Sequence, residues 1–161
     1  MIVKGSDIST RIEKSIEIRA QPEKVWEMLP LDRLPEWVKG YKDGLKNVEY
    51  TSEVRTPEDK LRVGASAHGI PKKQGESIKF NFEITESLEN EKITYRLYGK
   101  YRALVTHILE PVEEGTKMTY VVDYEMPWGI LGKILERLFF HRVMEKEFER
   151  DLENFKSILE K

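Results

Sequence analysis

Three histidines, seven tyrosines and no cysteine bound the chemistry open to this 161-residue chain. Disulfides, thiolate metal sites and cysteine nucleophiles are excluded outright. His68, His107 and His141 share no short-range ligand spacing, and no His-Glu-x-x-His occurs, so neither a metal nor another cofactor is expected. Gly64 and Gly69 have the end-glycine spacing of a phosphate loop, but Ile70 and Pro71 stand where Lys and Ser/Thr are needed. No Gly-x-Ser-x-Gly elbow anchors a hydrolase triad. Paired carboxylates are expected by chance among 29 acids, most of them solvated.

His107 is the most informative remaining residue. It lies in a run where Ala103, Val105, His107 and Leu109 share one parity and Leu104, Thr106 and Ile108 the other. If the first parity faces inward, an unpaired imidazole there costs on the order of 1–3 kcal/mol and demands a partner, a water or a ligand. If the second does, His107 is exposed. Tyr50, Tyr95, Tyr120 and Tyr124 fall on the same expected face as His107, where they either fill a core with their hydroxyls at the rim or give an apolar pocket a few polar heads. Lys14, an interruption in an apolar row, either snorkels at a strand end or meets an anionic head group.

The elements that must position these residues are legible from periodicity. Ile12, Ile16 and Ile18 alternate with Glu13, Ser15 and Glu17, giving a strand over about 11–19. Pro22 opens a helical stretch that Pro30 and Pro35 reset, so two short helices occupy about 22–38. Strands follow between about 45 and 126: Val48 to Val54, a weaker one from Val63 to Ile70, Ile78 to Ile84, Ile93 to Leu97, Tyr101 to Glu110 and Lys117 to Met126. The polar run Arg55 to Arg62 is expected as a loop, and Pro111 to Gly115 as a turn. Apolar residues from Leu131 to Leu159 then recur at steps of three and four, so one long helix covers about 130–159. No helix separates the later strands, which makes the sheet antiparallel and mostly sequential. The expected fold class is α+β: a seven-stranded antiparallel sheet curled around a long C-terminal helix, as one domain over 1–161. A gap between sheet and helix can remain.

Composition narrows the function. The 27 basic and 29 acidic residues are scattered rather than blocked, which argues against nucleic acid as a partner. Met1 to Asp7 carries no signal-like apolar stretch and no run approaches a membrane span, so a soluble, cytoplasmic protein is expected. Absent Cys and abundant Glu and Lys resemble a heat-adapted composition.

Five segments, in order, resemble a known superfamily: Pro22-Glu23-Lys24-Val25-Trp26, Leu34-Pro35-Glu36-Trp37-Val38, Leu109 to Val112 with Gly115 to Tyr120, Tyr124 to Pro127, and Leu152 to Lys156. Together they resemble the polyketide cyclase/dehydrase and lipid-transport superfamily, the START-like or SRPBCC proteins of helix-grip fold. The resemblance implies that Ala103, Val105, His107 and Leu109 face inward, with Met118, Tyr120, Val122 and Tyr124 on the partner strand, and Asp123 and Glu125 toward water.

The expected function is binding or carriage of a hydrophobic or amphiphilic small molecule, such as a lipid, isoprenoid or polyketide. The cavity is expected to be lined by Trp37, Tyr50, Phe80, Phe82, Tyr95, His107, Tyr120, Tyr124, Met144 and Phe148. A ligand of about 25 heavy atoms at roughly −0.3 kcal/mol per atom would bind in the micromolar range. The helix is apolar nearly all round from Trp128 to Phe140, so Trp128, Ile130, Leu131 and Phe140 are expected at the cavity mouth or a partner surface, including transient membrane contact. Two rivals stand beside carriage: a cyclase or dehydratase-type enzyme in which His107 or a Tyr moves a proton, and a protein-interaction or assembly module.

Overall fold

In the computed structural model of the protein, residues 10–39, 45–72, 80–99, 102–125 and 134–161 are described. Strand β1 (Arg11–Ile18) leads into helix α1 (Pro22–Trp26), a short 3-10 turn (Leu31–Arg33) and helix α2 (Leu34–Trp37). Then come β2 (Leu45–Tyr50), a second 3-10 helix (Pro57–Leu61), β3 (Ser66–Pro71), β4 (Phe80–Leu88), β5 (Lys92–Tyr98), β6 (Ala103–Val112), β7 (Gly115–Tyr124) and the long helix α3 (Ile134–Leu159). The strands form one curved antiparallel sheet in the order β1-β7-β6-β5-β4-β3-β2, so every neighbour except β1 on β7 is a sequential hairpin. This is the antiparallel α+β arrangement that the periodicity predicts, helix-grip-like as the resemblance implies.

Several boundaries differ from the sequence reading, each for a local reason. Strand β2 stops at Tyr50 instead of running to Val54, and the expected loop contains the helix Pro57–Leu61. Thr56 and Asp59 close a capping box around Pro57 at the first helical position, and Asp59 also accepts the Arg55 N–H at 2.8 Å. Strand β3 accordingly begins at Ser66 rather than Val63. The last hairpin is tighter than expected: β6 continues through Pro111, and Val112 pairs with Gly115 across Glu113 and Glu114. Gly115 packs so closely on β1 that an added Cβ would collide with the Ile18 carbonyl oxygen. Of the helix expected over 130–159, residues 130–133 lie outside the described residues.

Register aligns the inward side chains into rows across the sheet. One row reads Ala67, Phe82, Leu97, Ala103, Tyr124; the next reads Ile84, Tyr95, Val105, Val122, Ile12. A third holds Ile93, His107, Tyr120 and Lys14, and a fourth Leu109, Met118 and Ile16. The fourth row and most of the third are closed by Trp37, Leu152 and Phe155, which are at most 3% exposed. Trp37 stands edge-on to Phe155 at 4.9 Å between centroids, so α2 plugs this end of the sheet against the end of α3. The first two rows have no such plug.

Candidate functional site

Where the plug ends, a cavity of about 220 Å³ opens between the sheet and α3. Its sheet wall is the first two rows: Phe80, Phe82, Leu97, Ala103 and Tyr124, then Tyr95, Val105 and Val122, with Tyr120 from the third. Helix α3 supplies Phe140, Met144, Phe148 and Asp151, one face at helical spacing. Leu34, Val38 and Leu45 close the side nearest α2, and the exposed Arg102 and Glu125 border it. The lining is overwhelmingly apolar. A cavity of about 150 Å³ accepts a benzene ring, so this space, which is partly open to solvent, takes at least a small ring system.

Seven of the ten residues expected at a ligand cavity border this one: Phe80, Phe82, Tyr95, Tyr120, Tyr124, Met144 and Phe148. Phe140, expected at the mouth, lines the same space, edge-tilted on Tyr124 at 5.7 Å. Trp128, Ile130 and Leu131 lie outside the described residues. Of the apolar surface expected around them, Leu138 and Phe139 are exposed, at 57% and 71%.

Trp37, Tyr50 and His107 do not line the cavity. Trp37 is spent on the plug. Tyr50 accepts the Leu31 N–H at 2.9 Å and donates to the Lys60 carbonyl at 3.1 Å, so its hydroxyl fastens the two 3-10 segments together. Burial pushes that phenol's pKa up, and the hydroxyl stays protonated.

His107 faces inward but sits one row too deep. Its ring is 1% exposed, stacked on Tyr120 at 4.8 Å and 11°, 5.8 Å from Trp37 edge-on and 5.9 Å from Tyr95. Neither ring nitrogen has a hydrogen-bond partner among the described residues, and the same holds for Trp37 Nε1. Burial drives the His107 pKa down to about 3, so the imidazole is neutral at physiological pH.

Lys14 stands in the middle of β1 with its side chain 26% exposed. It faces inward and reaches across to α3, pairing with Glu149 at 2.8 Å and Glu145 at 3.4 Å. His141, placed on α3, instead meets a cavity residue, its Nδ1 lying 2.9 Å from the Tyr124 hydroxyl.

Asp151 is the residue that the sequence reading missed. It is 2% exposed, borders the cavity, and accepts the Lys39 N–H at 2.9 Å, which ties α3 to the segment leaving α2. Its charge reaches Tyr95 and Tyr120, and with burial as the larger cause it holds both phenols above their ordinary pKa. The signal was spacing: Met144, Phe148, Asp151 and Phe155 follow one helical stripe, and an acid within it has to be buried. No group of three or more His, Cys, Asp or Glu side chains that could hold a metal occurs among the described residues. No helix among them is long and apolar enough to cross a membrane.

Solved structures with the same fold include TTHA0849 from Thermus thermophilus, 20% identical with a TM-score of 0.70 over 92% of this chain and 96% of that one. Another is SA2116 from Staphylococcus aureus, described as a protein of unknown function, at 15% identity and a TM-score of 0.69 over 93% of each chain. The Aha1 dimer from Colwellia psychrerythraea aligns at 18% identity and a TM-score of 0.61, over 93% of this chain and 96% of that one. At these identities the likeness is one of fold. No curated protein sequence matches the chain. Residues 9–160 match the family described as polyketide cyclase / dehydrase and lipid transport. A match over that span, on a helix-grip-like sheet with an apolar cavity under its helix, places this chain in the polyketide cyclase/dehydrase and lipid-transport family.

Proposed function

We propose that the protein binds a small hydrophobic or amphiphilic molecule in the cavity between the sheet and α3. One observation carries this reading: the sheet rows beyond the Trp37–Phe155 plug are largely apolar and buried or half-buried, yet leave about 220 Å³ unfilled. Protein interiors pack to crystal-like density, so an unfilled apolar space of this size forfeits dispersion contacts that a fitted ligand restores. Family membership supports ligand binding in general terms. Carriage fits better than proton transfer through His107, because that ring does not border the cavity and burial, which lowers its pKa to about 3, makes it a weak base.

Native mass spectrometry of gently purified protein, followed by titration with naphthalene-sized hydrophobes, tests the reading. A bound hydrophobe, or saturable binding at one site per chain with Kd on the order of 100 µM or tighter, is the expected result. Absence of both a co-purifying and an added ligand in folded protein would overturn it.

A further inference from the structure

Resting on the binding reading above, we propose that the cavity selects a flat aromatic guest over a saturated one of the same skeleton and polarity. Six of its described wall residues form three pairs of aromatic rings. Phe82 and Tyr95 lie 6.0 Å apart between centroids, with their planes at 68°. Tyr120 and Phe148 lie 5.4 Å apart at 67°, and Tyr124 and Phe140 5.7 Å apart at 58°. The first pair belongs to the sheet, whereas each of the other two joins a sheet ring to a ring of α3, so aromatic surface bounds the space from both walls.

The angles matter because aromatic rings attract one another in offset-stacked and edge-to-face arrangements, where a negative face meets a positive edge. With the two planes of each pair 58–68° apart, a flat guest lying parallel to one ring stands nearly edge-on to its mate. Both rings are then met in a favourable geometry without the wall rearranging. A saturated guest offers neither a ring face nor a polarised edge, and gains only dispersion and burial. Met144, on the α3 wall, adds a polarisable thioether whose contacts with ring edges are also favourable. The Tyr120 ring is held by the His107 stack, 4.8 Å away and 11° from parallel, so one wall ring is fixed before a guest arrives.

Naphthol and decahydronaphthol share a carbon skeleton and a hydroxyl and differ in whether the rings are aromatic. Isothermal titration of the intact protein should give naphthol the tighter binding, by at least roughly fivefold. Replacing both helix-wall rings, in the double variant Phe140→Leu/Phe148→Leu, should shrink that ratio several-fold by weakening naphthol more than the saturated alcohol. Equal affinity of the two alcohols for the unmodified protein, or tighter binding of the saturated one, would overturn the proposal while leaving the cavity reading intact, and that comparison needs no variant to fold. A ratio that survives in the folded double variant would also overturn it, because the preference would then arise away from these rings. So would a ratio that shrinks because decahydronaphthol binds more tightly there, since the thickness of the guest rather than ring contact would be setting the preference. Failure of both alcohols to bind folded, unmodified protein would sink this inference and the cavity reading together.

Discussion

The His107 imidazole lies flat on the Tyr120 ring, 4.8 Å between centroids and 11° between planes, so a titratable side chain and a cavity wall residue form one stack. Tyr120 shows one face of the stack to the cavity, while His107 lies behind it in the closed core. The boundary between hollow and solid thus passes between these two residues.

This placement has a measurable acid signature. The folded pKa of His107, about 3, lies below the roughly 6.5 of an unfolded histidine. Between those values the unfolded chain binds more protons, so stability falls as pH drops through that window, by up to about 1.4 kcal/mol per unit. Urea denaturation at a series of pH values should show the slope, and His107→Leu should flatten it. Because the replacement also removes two unpartnered nitrogens, its stability at pH 7 should change by less than about 1 kcal/mol. A wild-type slope retained in His107→Leu would refute the assignment.

Two of the polar links that hold helix α3 differ in depth. Lys14 reaches Glu149 at 2.8 Å, but the Glu149 side chain is 55% exposed and the pair should contribute under about 1 kcal/mol, screened by salt. Asp151 bonds the Lys39 N–H in the interior. Chemical denaturation should find Asp151→Ala destabilised by about 1–3 kcal/mol and Glu149→Gln by less than half as much. The reverse order would mean that the exposed pair, not the buried bond, secures the helix.

Tyr50→Phe removes the hydroxyl that bonds Leu31 and Lys60 and nothing that borders the cavity. The expected loss is about 1–2 kcal/mol in stability, with hydrophobe affinity unchanged. A selective loss of affinity would place Tyr50 at the ligand after all.

The strands were legible because their alternation is local: Phe80, Phe82 and Ile84, or Ile93, Tyr95 and Leu97, declare a face without reference to the rest of the chain. Depth along the strand is a different matter. Parity left the facing of His107 open and the resemblance implied that it and Tyr120 point inward; register makes them partners, but only the packing of Trp37 and Phe155 decides that one is core and the other wall. Tyr50 likewise ended where its hydroxyl found two backbone partners, one 19 residues before it and one 10 after, which no period encodes. The 3-10 helix at Pro57 was readable from Thr56, Pro57 and Asp59, and a count of polar residues masked it. Asp151 was hidden by abundance, since one acid among 29 draws notice only when its place on the Met144, Phe148, Phe155 stripe is traced.

The unfilled space itself is the claim most directly open to measurement. Ala103 lies in its wall between Leu97 and Tyr124, where a larger side chain has room to enter. Titration of Ala103→Phe with naphthalene, alongside its thermal melting, should show binding weakened by at least roughly tenfold with Tm unchanged or raised, as expected when a side chain fills a void. Undiminished affinity in a folded Ala103→Phe protein would contradict the account, because the ligand would then be held somewhere else.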